Sequence, residues 1–167
     1  MNNTKKYTFW LFLLISAVLI AADQLTKNYI VGHYELHSGV SFIDGFFSFY
    51  YVRNTGSAFS FLADRSWGIY VLTGISLILS GVVLFFLYKA AKVNEMLASC
   101  ALMLLFAGAA GNLIDRFRLR YVVDFIRFDF GSKTFPIFNV ADICAVIGTC
   151  LLVVILIFMP QKAEKIW

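Results

Sequence analysis

Four stretches of this chain are long and apolar enough to cross a lipid bilayer: Phe9 to roughly Val31, Trp67 to Tyr88, Met96 to about Asn112, and Val140 to Met159. A spanning helix needs about 20 mostly apolar residues, so a chain of 167 residues has little left for a separate soluble domain. Composition agrees: 60% of the residues are hydrophobic and 14% charged, against about 45–50% and roughly 25% in soluble domains. The expected architecture is an all-α membrane protein, a single integral domain over residues 1–167 with four transmembrane helices.

The first window has a competing reading as a cleaved signal peptide, because Lys5 and Lys6 precede an apolar run that ends in Leu19-Ile20-Ala21-Ala22. The apolar pattern continues past Asp23 into Leu25, Tyr29 and Ile30, and three more spans follow, which favours a membrane span. Cys100, Cys144 and Cys150 all fall within spans, are odd in number and show no metal-ligand spacing, so they read as small packing residues. His33 and His37 stand four apart, a metal-binding spacing on a helix, but the flanking Gly32 and Gly39 favour a plain loop. A net charge of +4 fits contact with anionic lipid headgroups better than nucleic-acid binding.

An even number of spans puts both chain ends on one side. The tails and the Lys89–Glu95 connection carry six lysines, while the opposite side carries eight Lys and Arg. That count does not fix orientation, although the basic residues near the ends favour cytoplasmic termini. The opposite side holds nearly all the polar chain, Gly32 to Ser66 and Leu113 to Asn139. There the string FFSFYYV, Phe46 to Val52, lies between the turn signals Asp44-Gly45 and Asn54-Thr55-Gly56. It predicts a short hairpin or small sheet at the membrane surface, a β-rich extracytoplasmic segment.

Ionisable residues in or beside spans are costly and mark candidate sites. Asp23 and Lys27 are four apart, with the acid on the N-terminal side as a helical ion pair prefers; a structural pair with Lys27 snorkelling to the headgroups stands beside a direct role. Gly108-Ala109-Ala110-Gly111 permits close helix approach and leads into Asn112, Asp115 and Arg116, either a tight helix contact or a polar wall. Asp124 lies among apolar neighbours in Tyr121-Val122-Val123-Asp124-Phe125-Ile126. Asn139 and Asp142 open the fourth span with capping-box spacing, and capping alone would account for them.

Asp124 and Asp142 together point further. Both fall at the same membrane face, and two carboxylates within hydrogen-bond reach cannot readily both ionise, so one keeps a proton. One can then take a proton from water while the other polarises a substrate carbonyl, the division of labour of aspartic proteases. No Ser/His or Cys/His set on that side competes. Two other readings remain open on these residues: a proton relay through Asp23, Asp115 and Asp142, and a non-catalytic scaffold in which Asp142 only caps its helix.

Five blocks in order carry a resemblance. They are Asp23-Gln24-x-x-Lys27, Asn54-Thr55-Gly56-Ser57-Ala58-Phe59, Gly108-x-x-Gly111-Asn112-x-x-Asp115-Arg116, Val122-Val123-Asp124-Phe125, and Phe135-Pro136-x-Phe138-Asn139-x-Ala141-Asp142. With them the chain resembles the bacterial lipoprotein signal peptidases, the signal peptidase II family. The resemblance implies that Asp124 and Asp142 form a catalytic dyad, with Asp23, Lys27, Asn54, Gly56, Asn112, Asp115, Arg116 and Asn139 as substrate-binding or supporting residues. It also implies a monomer in the bacterial inner membrane, termini cytoplasmic and the site near the outer face. The substrate would be a diacylglyceryl-modified prolipoprotein cut before its lipidated Cys, with membrane lipids as neighbours, no nucleic acid, no metal and no organic cofactor.

Overall fold

The structure, a computed structural model, describes residues 3–56 and 67–166. In chain order the elements are α1 (Asn3–His33), β1 (Gly39–Ile43), β2 (Phe47–Asn54), α2 (Gly68–Lys92), α3 (Met96–Leu119), β3 (Val122–Phe130), β4 (Lys133–Thr134), α4 (Val140–Phe158) and the short α5 (Pro160–Ala163). Helices α1 to α4 are each long and apolar enough to cross a membrane, matching the four windows. The tail of the Asn54 block, Ser57-Ala58-Phe59, lies outside the described residues.

Helix α3 is the hub, packing against α1, α2 and α4. Its small residues make this possible. A Cβ placed on Gly108 would stand 2.5 Å from the Ala141 carbonyl oxygen and 2.8 Å from the Ala145 nitrogen, both backbone atoms of α4. Gly148 on α4 returns the contact, its hypothetical Cβ lying 2.7 Å from the Ala101 carbonyl oxygen. Backbone atoms cannot step aside as a side-chain tip can, so Gly108→Ala is expected to separate α3 from α4 and cost about 1–3 kcal/mol. A lower thermal midpoint of the detergent-solubilised protein checks this; an unchanged midpoint would mean the helices do not pack backbone to backbone.

Two of the sequence expectations shift. Helix α3 does not stop near Asn112 but continues to Leu119, ended by Arg120 in the left-handed conformation at φ 67°. The residues Asn112, Asp115 and Arg116 are therefore on the last turns of a spanning helix, which carries them into the bundle. Helix α1 likewise reaches His33, whose Nδ1 lies 2.8 Å from the Tyr29 carbonyl oxygen. His37 follows beyond the helix end with φ 63°, so the loop reading holds for His37 while His33 closes a helix.

The expected small sheet is present, antiparallel with strand order β1-β2-β3-β4. The FFSFYYV string forms most of β2, which pairs with β3 in the register Val52↔Asp124 and Asn54↔Val122. Tyr51, Val123 and Phe125 from the sheet cluster with Ile30 near the end of α1, which seats the sheet on the bundle. An isolated bridge between Ile126 and Phe138 then brings the chain back across β3 just before α4. At the opposite end of the bundle, Lys165 Nζ meets Glu95 Oε1 at 2.7 Å, and the buried Ile166 joins the core of Leu87, Ala90 and Ala98.

Candidate active site

Five elements, α1, β2, α3, β3 and α4, converge where the sheet meets the bundle. Asp124 comes from β3 and Asp142 from the first turn of α4. Asn139 ties them together: its Nδ2 donates to Asp124 Oδ1 at 2.7 Å, while its backbone N–H donates to Asp142 Oδ2 at 3.1 Å. The capping box predicted for this helix is also formed, since the Asp142 N–H donates to Asn139 Oδ1 at 2.9 Å. Capping and convergence on Asp124 are thus both properties of one Asn-x-x-Asp turn.

The remaining oxygens of the pair are also addressed. Asn112 Nδ2 donates to Asp142 Oδ1 at 2.7 Å, and Asn54 Nδ2 donates to Asp124 Oδ2 at 2.9 Å. Asn54 is itself oriented by Gly56, whose backbone N–H donates to Asn54 Oδ1 at 3.0 Å, a turn in which an Asn side chain bonds its own backbone two residues on. Gly56 thereby points the amide nitrogen of Asn54 at the carboxylate.

Beneath the pair lies a buried ion cluster. Lys27 Nζ stands 2.9 Å from Asp23 Oδ2, 3.0 Å from Asp115 Oδ2 and 2.9 Å from Asn112 Oδ1. Lys27 is 2% exposed, so the expectation that it snorkels to the headgroups is overturned. Asp23 on its own helix and Asp115 and Asn112 on α3, rather than the membrane surface, supply what its three N–H donors need. The carboxylates have further duties: Asp23 Oδ1 accepts the Ala141 N–H at the start of α4, and Asp115 Oδ2 accepts the Val123 N–H of β3. One cluster therefore sets the depth of both elements that carry the acids.

Arg116 lies at the edge of this network, reaching Ser76 Oγ and the Asn112 carbonyl only at 3.5 Å, with its Nε buried and unpartnered among the described residues. It makes no ion pair with either acid. The structure brings the other residues named from the sequence, Asp23, Lys27, Asn54, Gly56, Asn112, Asp115, Asp124, Asn139 and Asp142, into one hydrogen-bonded network. One was missed: Gln24, whose Nε2 donates to Asp115 Oδ1 at 2.9 Å and to the Gly111 carbonyl at 3.2 Å. A neutral amide at a span edge carries no charge to flag it, and its place beside Asp23 in the first block was the only signal. The acids proposed for a proton relay, Asp23, Asp115 and Asp142, are clustered at one end of the bundle rather than strung along it. Among the described residues no group of three His, Cys, Asp or Glu side chains is arranged to hold a metal.

Burial and then the neighbouring charge of Asp142 push the Asp124 carboxyl up from 3.8 to about 7, against the pull of the Asn54 and Asn139 amides and of Lys27. Between about pH 4 and about pH 7 the folded protein holds a proton that an unfolded Asp has lost. This contribution therefore makes stability fall as pH rises through that window and then level off. Thermal unfolding of the Asp124→Asn variant is expected to lack this descent; the same slope in both proteins would place the titration elsewhere.

Four spanning helices closing on a pair of hydrogen-bonded carboxylates, Asp124 buried and Asp142 half-buried, define a multi-pass membrane protein with the outline of an aspartic-type peptidase. The family model described as Signal peptidase (SPase) II matches residues 15–158, and the chain belongs to that peptidase family. It is 41% identical to a lipoprotein signal peptidase of Syntrophus aciditrophicus, over 93% of this chain and 96% of that one. It is 37% identical to a lipoprotein signal peptidase of Psychromonas ingrahamii, over 91% and 86% respectively. Among solved structures it is similar to a bacterial membrane enzyme determined by the in meso method at 1.9 Å, with 34% identity, a TM-score of 0.78, and coverage of 89% of this chain and 94% of that one.

Proposed function

We propose that this protein is a lipoprotein signal peptidase: a membrane aspartic endopeptidase that removes the signal peptide of diacylglyceryl-modified prolipoproteins by cutting before the lipidated Cys. The whole chain acts as one peptidase unit, a monomer in the bacterial inner membrane with cytoplasmic termini and the site near the outer face. Asp124 and Asp142 are the catalytic pair. Asn54, Asn112 and Asn139 orient them, Gly56 orients Asn54, the Asp23–Lys27–Asp115 cluster fixes their depth, and Arg116 binds substrate.

The observation that carries this reading is the bridging of both acids by Asn139, which keeps them adjacent. One carboxylate then takes a proton from water, whose oxygen bonds to the scissile carbonyl carbon, while the other protonates the carbonyl oxygen. A scissile bond tethered to lipid must be met at membrane depth, and here the acids stand where spanning helices meet the surface sheet. Backbone strands are permissible at that depth because they line a wet site.

The test is purified protein given a diacylglyceryl-modified precursor and the same precursor without the lipid. Release of a signal peptide from the modified form alone supports the reading; equal cutting of both would remove the lipid from substrate recognition. The scaffold alternative is separated by Asp142→Ser, since a Ser hydroxyl at this third helical position can still accept the Asn139 N–H that closes the capping box. Cleavage is expected to vanish in that variant while the thermal midpoint moves little, whereas an active Asp142→Ser protein would leave Asp142 a cap and nothing more.

A further inference from the structure

Resting on the dyad reading, we propose that Lys27, acting through Asn112, fixes which acid does which job: Asp142 is held ionised as the general base, and Asp124 carries the proton given to the scissile carbonyl. Lys27 and Asn112 are positioning residues in this scheme, because neither meets the reacting atoms through its own proton.

The orientation of two side-chain amides, Asn139 and Asn112, sets the two acids apart. The Asp142 backbone N–H can only donate, so the Asn139 oxygen must face it, and the Asn139 nitrogen must face Asp124 and Asn112. Asn112 Oδ1 is then claimed by two donors, Asn139 Nδ2 at 3.0 Å and Lys27 Nζ at 2.9 Å. An ammonium has three donors and no acceptor, so turning the Asn112 amide over would set its NH2 against a cation. The Asn112 nitrogen is therefore locked onto Asp142 Oδ1 at 2.7 Å. Locked donors on both its oxygens favour the charged form of a carboxylate.

The two acids differ in what else surrounds them. Asp142 lies in the first turn of α4, where the helix N-terminus favours an anion. The charged groups facing it are Lys27 and Asp23 from α1, Arg116 from α3 and Asp124 from β3, with Asp115 from α3 paired to Lys27 behind Asn112. Asp124 sits on a strand, meets the start of α4 through the Asn139 side chain rather than from within its first turn, is 2% exposed, and faces the charge of Asp142. One of its two donors, Asn54, is set only by the local Gly56 turn rather than by a buried cation.

The steps balance on this assignment. Water loses a proton to Asp142 as its oxygen bonds to the carbonyl carbon, and the Asp124 proton passes to the carbonyl oxygen, giving a gem-diol. On collapse the C–N bond breaks, the proton on Asp142 goes to the leaving nitrogen, and a gem-diol hydroxyl proton returns to Asp124. Both acids end as they began, with one peptide bond and one water consumed.

Two measurements test the assignment. Infrared difference spectra of the unliganded protein between acid and alkaline pH are expected to show a protonated-carboxyl band that disappears near neutral pH. The band should be missing from Asp124→Asn and kept, moved to lower pH, in Asp142→Asn; the reverse pattern overturns the assignment whether or not either variant cleaves. In the pH–rate profile, Asn112→Ala is expected to lower kcat at least about tenfold and move the acid limb to higher pH by about one unit, with KM and the alkaline limb unchanged. A shift of the alkaline limb, or of KM alone, overturns the role of Asn112, and the infrared comparison decides the assignment even if that variant fails to accumulate. Cleavage retained by Asp124→Asn or Asp142→Asn would reject the dyad itself and is a separate outcome.

Discussion

Asp124→Asn and Asp142→Asn are each expected to lower cleavage of a lipid-modified precursor by at least about 10³-fold, within the range for losing a positioned acid or base. The substitution is nearly isosteric, so the site keeps its shape while a carboxyl that must gain or lose a proton becomes an amide that does neither. Folding suffers little by comparison. Asp124 accepts from Asn54 and Asn139 at 2.9 and 2.7 Å, and Asn can accept only one of the two, leaving a misfit worth about 1–3 kcal/mol. The check is single-turnover cleavage beside a thermal melt, and a well-folded variant retaining a tenth of wild-type activity would remove that acid from the chemistry.

Lys27→Met is expected to cost about 3–5 kcal/mol, the range for removing one partner of a buried ion cluster. Met fits the space, but Asp23 and Asp115 are 1% and 3% exposed and would face each other with no cation between them. Helix α4 is then at risk, because Asp23 holds the Ala141 N–H, and β3 likewise through Asp115 and Val123. Expected are a sharply lower melting midpoint and little folded protein in mild detergent. Neutralising one of the stranded acids should recover part of the loss, so Lys27→Met with Asp115→Asn is expected to be less destabilised than the two single changes summed. Simple additivity would show that the three charges do not act as one unit.

The membrane spans were legible because bilayer thickness imposes a length and a composition that can be read directly. Their ends were less so. Helix α3 runs seven residues past Asn112 because backbone hydrogen bonding is indifferent to polarity, whereas an apolar window ends wherever polar residues begin. The strand Phe47–Asn54 showed in its aromatic, β-branched run and turn signals. Its partner β3 did not, since pairing residues 47–54 with 122–128 is long-range information. For the site, the charged members stood out as ionisable groups in or beside spans, or in Asp124's case among apolar loop neighbours, and the ordered blocks gathered them. Burial of Lys27 did not follow from its spacing to Asp23, because that spacing describes one helix and the outcome was decided by Asp115 and Asn112 on another. Gln24 was passed over for want of charge.

The Asp23–Lys27 pair has a consequence for how the chain reaches its membrane. Its two charges lie on one helix, 2.9 Å apart, so α1 can enter the bilayer with its cation already neutralised by its own acid. Among the described residues Asp115 makes its ion pair not within α3 but with the ammonium of Lys27 on α1, at 3.0 Å. The first helix therefore brings a counter-charge for its own cation into the bilayer, whereas the acid of the third is ion-paired only once the two helices pack together.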